Sequence, residues 1–177
     1  MIIKNALVYG ADFEPSRYDI EIENEVIKNI GKIDADGLDF SGCVALPGFI
    51  DIHIHGCNMA DATDGNQDSV AKMSKWLAEN GITSFCPTTM TLPIETLKKC
   101  FTYISDTMGK EEGAYIHGIN MEGPFIAPEK KGAQDAAHIL KPSIDVFEDL
   151  NNICPIKLVD IAPEQNGAEE FIANVKE

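Results

Sequence analysis

The chain is 177 residues long, 44% hydrophobic and 24% charged, a composition that suits a soluble globular protein with one sizeable core and excludes a disordered or fibrous one. Its 29 acidic residues against 14 basic ones leave a formal net charge of −15, which argues against nucleic-acid or anionic-membrane binding through a broad basic face. A phosphate-bearing ligand would have to be held against that field by a few local cations or backbone N–H groups.

Nothing at the N-terminus reads as a signal peptide, because Asp12 and Glu14 follow directly on a short apolar run. No stretch approaches the roughly 18 uninterrupted apolar residues of a membrane span, so a cytoplasmic protein is expected. The five cysteines, Cys43, Cys57, Cys86, Cys100 and Cys154, are odd in number and show no CxxC spacing. Neither a disulfide framework nor a thiolate zinc site is implied, and they are read as reduced and mostly buried.

In chain order, MIIKNALVYG, YDIEIEN and EVIKNIGKI alternate with the period of a strand, and Asn24-Glu25 is placed to turn one strand into the next. A small antiparallel sheet is predicted. From Val44 to Ile54 the chain is nearly continuously apolar, broken by Pro47-Gly48, as expected of a strand buried on both faces. A helix is predicted from about Ser69 to Asn80, with Asp68 or Ser69 as N-cap, Val70, Met73, Trp76 and Leu77 on one face and Gly81 as the stop. The strand ITSFC follows. Thr91 is expected to cap a second helix with Pro93 in its first turn, carrying Leu97, Phe101, Ile104 and Met108 on one face before Gly109. The strand AYIHGINM comes next, then the loop EGPFIAPEKKGAQDAAHILKP, a short helix from about Ser143 to Asn151, the strand IKLVDIA, and a final helix from Gly167 to Glu177.

Four βα units in succession predict an α/β fold with a parallel sheet and helical crossovers. An open doubly wound sheet fits the pattern too. The residues after the N-terminal sheet amount to roughly half of the ~250 that a complete eight-fold barrel uses, so the reading preferred is a partial TIM barrel, its first four βα units, preceded by the small antiparallel sheet.

His53 and His55 stand at i and i+2 at the end of a strand, which points both imidazoles to one side. In a parallel barrel the C-terminal strand ends build the active site, where two such histidines can share a divalent ion; two histidines held structurally at a strand end fit the spacing equally. Glu122 lies just past the apolar part of AYIHGINM and before Gly123-Pro124, at the analogous end of its strand. A carboxylate buried there needs a partner, and a metal is one, while the alternative is a solvent-exposed strand terminus. His117 opens the same strand and is read as a core or surface histidine, and His138 as an exposed loop histidine in reach of a ligand. Lys130-Lys131 offers cations to a phosphate or is a solvated loop pair. Cys86-Pro87-Thr88-Thr89 ends a strand on the same presumed face, either lining the site or terminating the strand.

The run from Pro47 to Gly56, PGFIDIHIHG, resembles the PGFIDxHxH signature of the amidohydrolase superfamily. Met121-Glu122-Gly123-Pro124-Phe125, Lys131-Gly132-Ala133, Gly81-Ile82-Thr83-Ser84-Phe85, Pro87-Thr88-Thr89 and Ala162-Pro163-Glu164 narrow this, because together they resemble N-acetylglucosamine-6-phosphate deacetylases along the whole chain. The resemblance implies that residues 1–46 are part of a small β-sandwich domain and 47–177 the first half of a metal-dependent hydrolase barrel. It implies Glu122 as the metal-ligating glutamate, His53 and His55 as the pair for an additional metal, and Ala133 and Gln134 at the sugar's acetamido group. Many members carry His where Gln134 stands, and Gln can still donate one hydrogen bond to an oxyanion.

The implied cofactor is a divalent metal, zinc or iron, as one or two ions. The implied partners are a small amino-sugar phosphate and, in the full-length protein, a second copy in a homodimer, with no nucleic acid and no membrane. The family's two further metal histidines, its general-base aspartate and its phosphate-binding residues would all lie beyond residue 177, so no catalytic residue is assigned in this chain, which alone is expected to be inactive. Other amidohydrolases of dihydroorotase-like or D-aminoacylase-like type, or a non-catalytic half-barrel, are the competing readings.

Overall fold

The structure is a computed structural model that describes residues 1–10 and 12–175. Two units are defined by their internal contacts, Met1–Pro47 and Gly48–Glu177. In the first, the alternating segments form β1 (Ile2–Tyr9), β2 (Pro15–Glu23) and β3 (Val26–Gly31) as an antiparallel meander. Asn24 and Glu25 both take positive φ, 50° and 63°, the left-handed pair of a tight hairpin whose twist matches its strands.

The expectation of a purely antiparallel sheet is corrected by two short strands, β4 (Leu38–Asp39) and β5 (Val44–Ala45), which both pair with β1 in parallel. After β3 the chain doubles back before running beside β1, and so arrives in β1's own direction. The packed interior here is small: Ala6, Val8 and Ile20, flanked by Ile3, Ile22 and Ala45. A polar knot reinforces it. Asn5, at φ 64°, sits in a bulge of β1, and Asp19 fills the gap by accepting from the backbone N–H groups of Asn5 (3.0 Å) and Ile33 (2.9 Å) while pairing with Lys4 Nζ at 2.8 Å. The Lys4 ammonium first, and then these amides, hold the Asp19 carboxyl down at about 2.

The second unit runs β6 (Phe49–Ile54), the hairpin of β7 (Gly56–Cys57) and β8 (Ala60–Asp61), α1 (Gln67–Glu79), β9 (Ile82–Pro87), α2 (Ile94–Thr107), β10 (Tyr115–Ile116), β11 (Ile119–Glu122), α3 (Ile144–Asn151), β12 (Ile156–Asp160) and α4 (Ala168–Val175). It is mixed α/β with parallel pairing of β6 to β9, β9 to β10, and β11 to β12, and Thr88 bridges to Asn120 in the same sense. The apolar faces of α1 and α2, including Val70, Met73, Leu77, Leu97, Phe101 and Ile104, close with Phe85, Ile119, Met121 and Phe125 into one buried core. Among the described residues no helix is long and apolar enough to cross a membrane.

Several local expectations are corrected. α1 opens earlier than predicted because Asn66 Oδ1 accepts from Asp68 N–H and serves as the N-cap. Thr91 does not cap α2; the helix begins after Pro93, whose carbonyl accepts from Thr96 and Leu97, and the Thr91 N–H is taken by Gln134. The strand predicted over AYIHGINM divides into β10 and β11 at Gly118, whose φ of 138° and 2.5 Å approach of a would-be Cβ to the Pro155 carbonyl admit no side chain. β6 is not buried on both faces: Phe49 and Ile50 are each 62% exposed and Ile52 56%. It pairs through one edge only, with β9, among the described residues. The helix expected to reach Glu177 is described as far as Val175, and its last two residues lie outside the described chain.

Cys86, Cys100 and Cys154 are buried, Cys57 half-buried and Cys43 exposed, all as free thiols. Burial pushes the Cys154 thiol up to about 12.

Candidate metal centre

The C-terminal ends of β6, β9, β11 and β12 bring together the polar groups of the second unit. Thr88, fully buried, ties β9 to β6: its Oγ1 accepts from the Ile54 N–H at 2.9 Å and its own N–H donates to the Ile54 carbonyl at 2.9 Å. Asn120 ties β11 to β6 by donating Nδ2 to the Ile52 carbonyl at 3.0 Å. With both lashings on β6, the alternation of the strand sends His53 and His55 to one side, ring centroids 5.2 Å apart and nearly perpendicular.

Glu122, at the end of β11, meets both. Its Oε2 lies 2.9 Å from His55 Nε2 and 3.2 Å from His53 Nε2, and these three groups form a cluster whose candidate ligand atoms all lie within 4.8 Å of one another. His55 Nδ1 stands 3.2 Å from the Thr88 carbonyl oxygen, which can only accept, so the proton belongs on Nδ1 and Nε2 carries a lone pair. That lone pair then faces a carboxylate oxygen at 2.9 Å, an acceptor against an acceptor, and either a second ring proton or a metal cation between them makes the contact favourable. Two imidazoles and a carboxylate are a donor set of zinc hydrolases, and bonds of ~2.0 Å at tetrahedral angles put neighbouring donors about 3.3 Å apart, close to the separations seen here. The residues fit a divalent ion.

Gln134 is buried, 7% exposed, and donates Nε2 to Glu122 Oε1 at 2.5 Å while its Oε1 accepts from the Thr91 N–H at 2.7 Å. Both ends of the amide are thus engaged in holding the glutamate. Ala133 beside it is exposed. The lysine pair divides: Lys131 Nζ donates to the Gln134 carbonyl at 2.8 Å within its own loop, whereas Lys130 lines an open cleft of about 300 Å³ together with His53, Glu122, Asp160, Ile161 and Glu164. His117 is exposed at the break between β10 and β11, edge-on to Tyr115, and His138 lies 3.8 Å from Asp135, so neither joins the cluster.

Sequence reasoning missed Asp160 and Asn120. Asp160 is the strand partner of Glu122 across β11 and β12, and its Oδ2 lies 3.2 Å from His53 Nδ1. The signal was present, since Asp160 ends an apolar strand as Glu122 does. Asn120 lies inside the apolar run INM, where a buried amide is itself a departure.

No family model matches the chain. N-acetylglucosamine-6-phosphate deacetylase of Bos taurus is 36% identical over 141 residues, 76% of this chain and 34% of the relative. The enzyme of that name from Bacillus subtilis is 33% identical over 182 residues, 99% of this chain and 44% of the relative. The crystal structure of the Thermotoga maritima N-acetylglucosamine-6-phosphate deacetylase superposes with a TM-score of 0.83 at 30% identity, over 99% of this chain and 46% of that one. The chain therefore spans about a third to a half of the length of these relatives, and in sequence and fold it is a homologue of the N-acetylglucosamine-6-phosphate deacetylases.

Proposed function

We propose that the second unit is the first half of a (β/α)8 hydrolase barrel and the first unit part of a β-sandwich domain, in a cytoplasmic, metal-dependent enzyme that removes acetate from N-acetylglucosamine 6-phosphate and leaves glucosamine 6-phosphate. The observation that carries this reading is the convergence of His53, His55 and Glu122 at one point on the C-terminal ends of parallel strands. The two sequence relatives and the solved structure described above, each an enzyme of that name, support the substrate.

A divalent ion bound by these three residues supplies Lewis acidity for hydrolysis of an amide bond. The chain's own groups do the rest of the work assigned to them. Glu122 contributes the negative charge that binds the ion, and Gln134 and Thr91 fix its carboxylate. His53 and His55 present ring nitrogens from one edge of the same strand. Lys130 lines the same cleft as His53 and Glu122 and offers a cation to an anionic substituent of the substrate. Ala133 and Gln134 stand in the loop assigned to the acetamido group, where Gln134 gives one of its two Nε2 hydrogens to Glu122 and keeps the other. Because the relatives extend well beyond the stretch matched here, activity is expected to need the portion that this chain does not match.

The test is acetate release from N-acetylglucosamine 6-phosphate with added Zn²⁺, for this chain and for the full open reading frame that encodes it. Release by the longer protein, abolished by Glu122→Gln, is expected. Release that survives Glu122→Gln would remove that residue from the ligand set, and no release from either protein would refute the substrate.

A further inference from the structure

The two histidines of the cluster differ in what stands behind their rings. His55 has a backbone carbonyl at Nδ1, which fixes the proton there and frees Nε2. His53 has no carbonyl at Nδ1. Two side chains face that nitrogen instead: Asn120 Nδ2, a donor, at 3.2 Å, and Asp160 Oδ2, an acceptor, at 3.2 Å.

These two demand opposite tautomers. While Asn120 donates to Nδ1, the His53 proton sits on Nε2 and points at Glu122 Oε2, 3.2 Å away. An ion held by Nε2 needs that nitrogen bare and the proton on Nδ1, where it requires an acceptor. Turning the Asn120 amide over would supply an oxygen, but it would also set that oxygen against the Ile52 carbonyl to which Nδ2 now donates at 3.0 Å. Asp160 Oδ2 is the remaining acceptor. It is buried and has no hydrogen-bond partner among the described residues: the 3.2 Å contact with His53 is close but not aligned as a hydrogen bond, an unmet acceptor waiting on a donor.

We propose that Asp160 is the positioning residue for His53, accepting a hydrogen bond from Nδ1–H so that Nε2 is presented to the metal as a neutral ligand. This rests on the metal-centre reading above. The ring is half-exposed and so has room to turn its Nδ1 from Asn120 towards Asp160, while the Asn120 bond to Ile52 does not involve the ring. A carboxylate behind a ligating imidazole both orients the ring and raises its basicity, and loss of such a partner typically weakens metal binding about 10–100-fold.

The experiment is zinc titration of the whole 177-residue chain by competition calorimetry, for the natural sequence, Asp160→Asn and Asp160→Glu, with circular dichroism to check that each variant is folded. In parallel, the ¹⁵N shifts of His53 are read in the unsubstituted chain with and without Zn²⁺, a measurement that does not depend on any variant folding. Expected are about 10–100-fold weaker zinc binding in Asp160→Asn, partial recovery in Asp160→Glu, and a His53 proton that moves from Nε2 to Nδ1 when zinc is added. Equal affinity in a folded Asp160→Asn, or a His53 proton that stays on Nε2 in the zinc-loaded chain, overturns the role of Asp160. Failure of the unsubstituted chain to bind zinc would instead overturn the metal-centre reading itself, and this inference with it.

Discussion

The two units of the chain keep themselves folded by different means. The first has only Ala6, Val8 and Ile20 as its buried apolar cluster and leans on the Asp19 knot, where one carboxylate takes up a lysine and two backbone amides. The second closes a continuous apolar core around Phe85, Phe101, Ile104, Met121 and Phe125, each with no measurable exposure, and spends its polar groups at the strand ends instead. Where apolar area is scarce, hydrogen bonds to an ionised group carry a larger share of stability; where it is plentiful, polar side chains are released for chemistry.

The contrast is tested most strongly in the second core. Phe101→Ala should cost about 3–5 kcal/mol in urea unfolding followed through Trp76, which packs against the same core. A loss below ~1 kcal/mol would mean the core is not closed as described. Ile20→Ala in the first unit should cost less, about 2 kcal/mol, because the smaller cluster offers fewer neighbours to lose.

Acid distinguishes the units next. Asp19 has a carboxyl lowered when folded, so its contribution is fully present above the ordinary carboxylate value near 4 and is lost as pH falls towards about 2. The protection factors of the Asn5 and Ile33 amides, their exchange measured relative to the unfolded chain at the same pH, should therefore fall across that window in the natural chain. In Asp19→Asn they should be low already at neutral pH and nearly flat on acidification; an unchanged acid profile would show that the knot does not support the sheet. The smallest effect belongs to β6, where Ile50→Ala, at a residue 62% exposed, should change unfolding free energy by within about 0.5 kcal/mol. A larger loss would show that the outer face of β6 is covered in solution.

How much of this was legible in the sequence depends on whether the information is local. The helix faces with Val70, Met73 and Leu77, or Leu97, Phe101 and Ile104, are periodic and so could be read directly. So could the strand-end placement of His53, His55 and Glu122, because alternation and the Gly123-Pro124 exit are written in neighbouring residues. The alignment of Asp160 with Glu122 was not, since it depends on the register of β12 against β11, a tertiary property. For the same reason the apolar run through Phe49, Ile50 and Ile52 reports what those residues prefer and nothing about which strands pair beside them. The family resemblance places Gln134 at the substrate, whereas its bonds to the Thr91 N–H and to Glu122 depend on how the loop folds back and could not be read from neighbouring residues.

The graded burial of the thiols gives the chain a built-in clock for its own opening. Under native conditions a small alkylating reagent should modify exposed Cys43 first and half-buried Cys57 more slowly, while Cys154, sealed in the core and reluctant to ionise, reacts only when the second unit unfolds. Mass spectrometry of a timed labelling series would thus time the opening of the second unit through Cys154, with Cys43 in the same molecule reporting the reagent's own reactivity, without a probe having to be introduced.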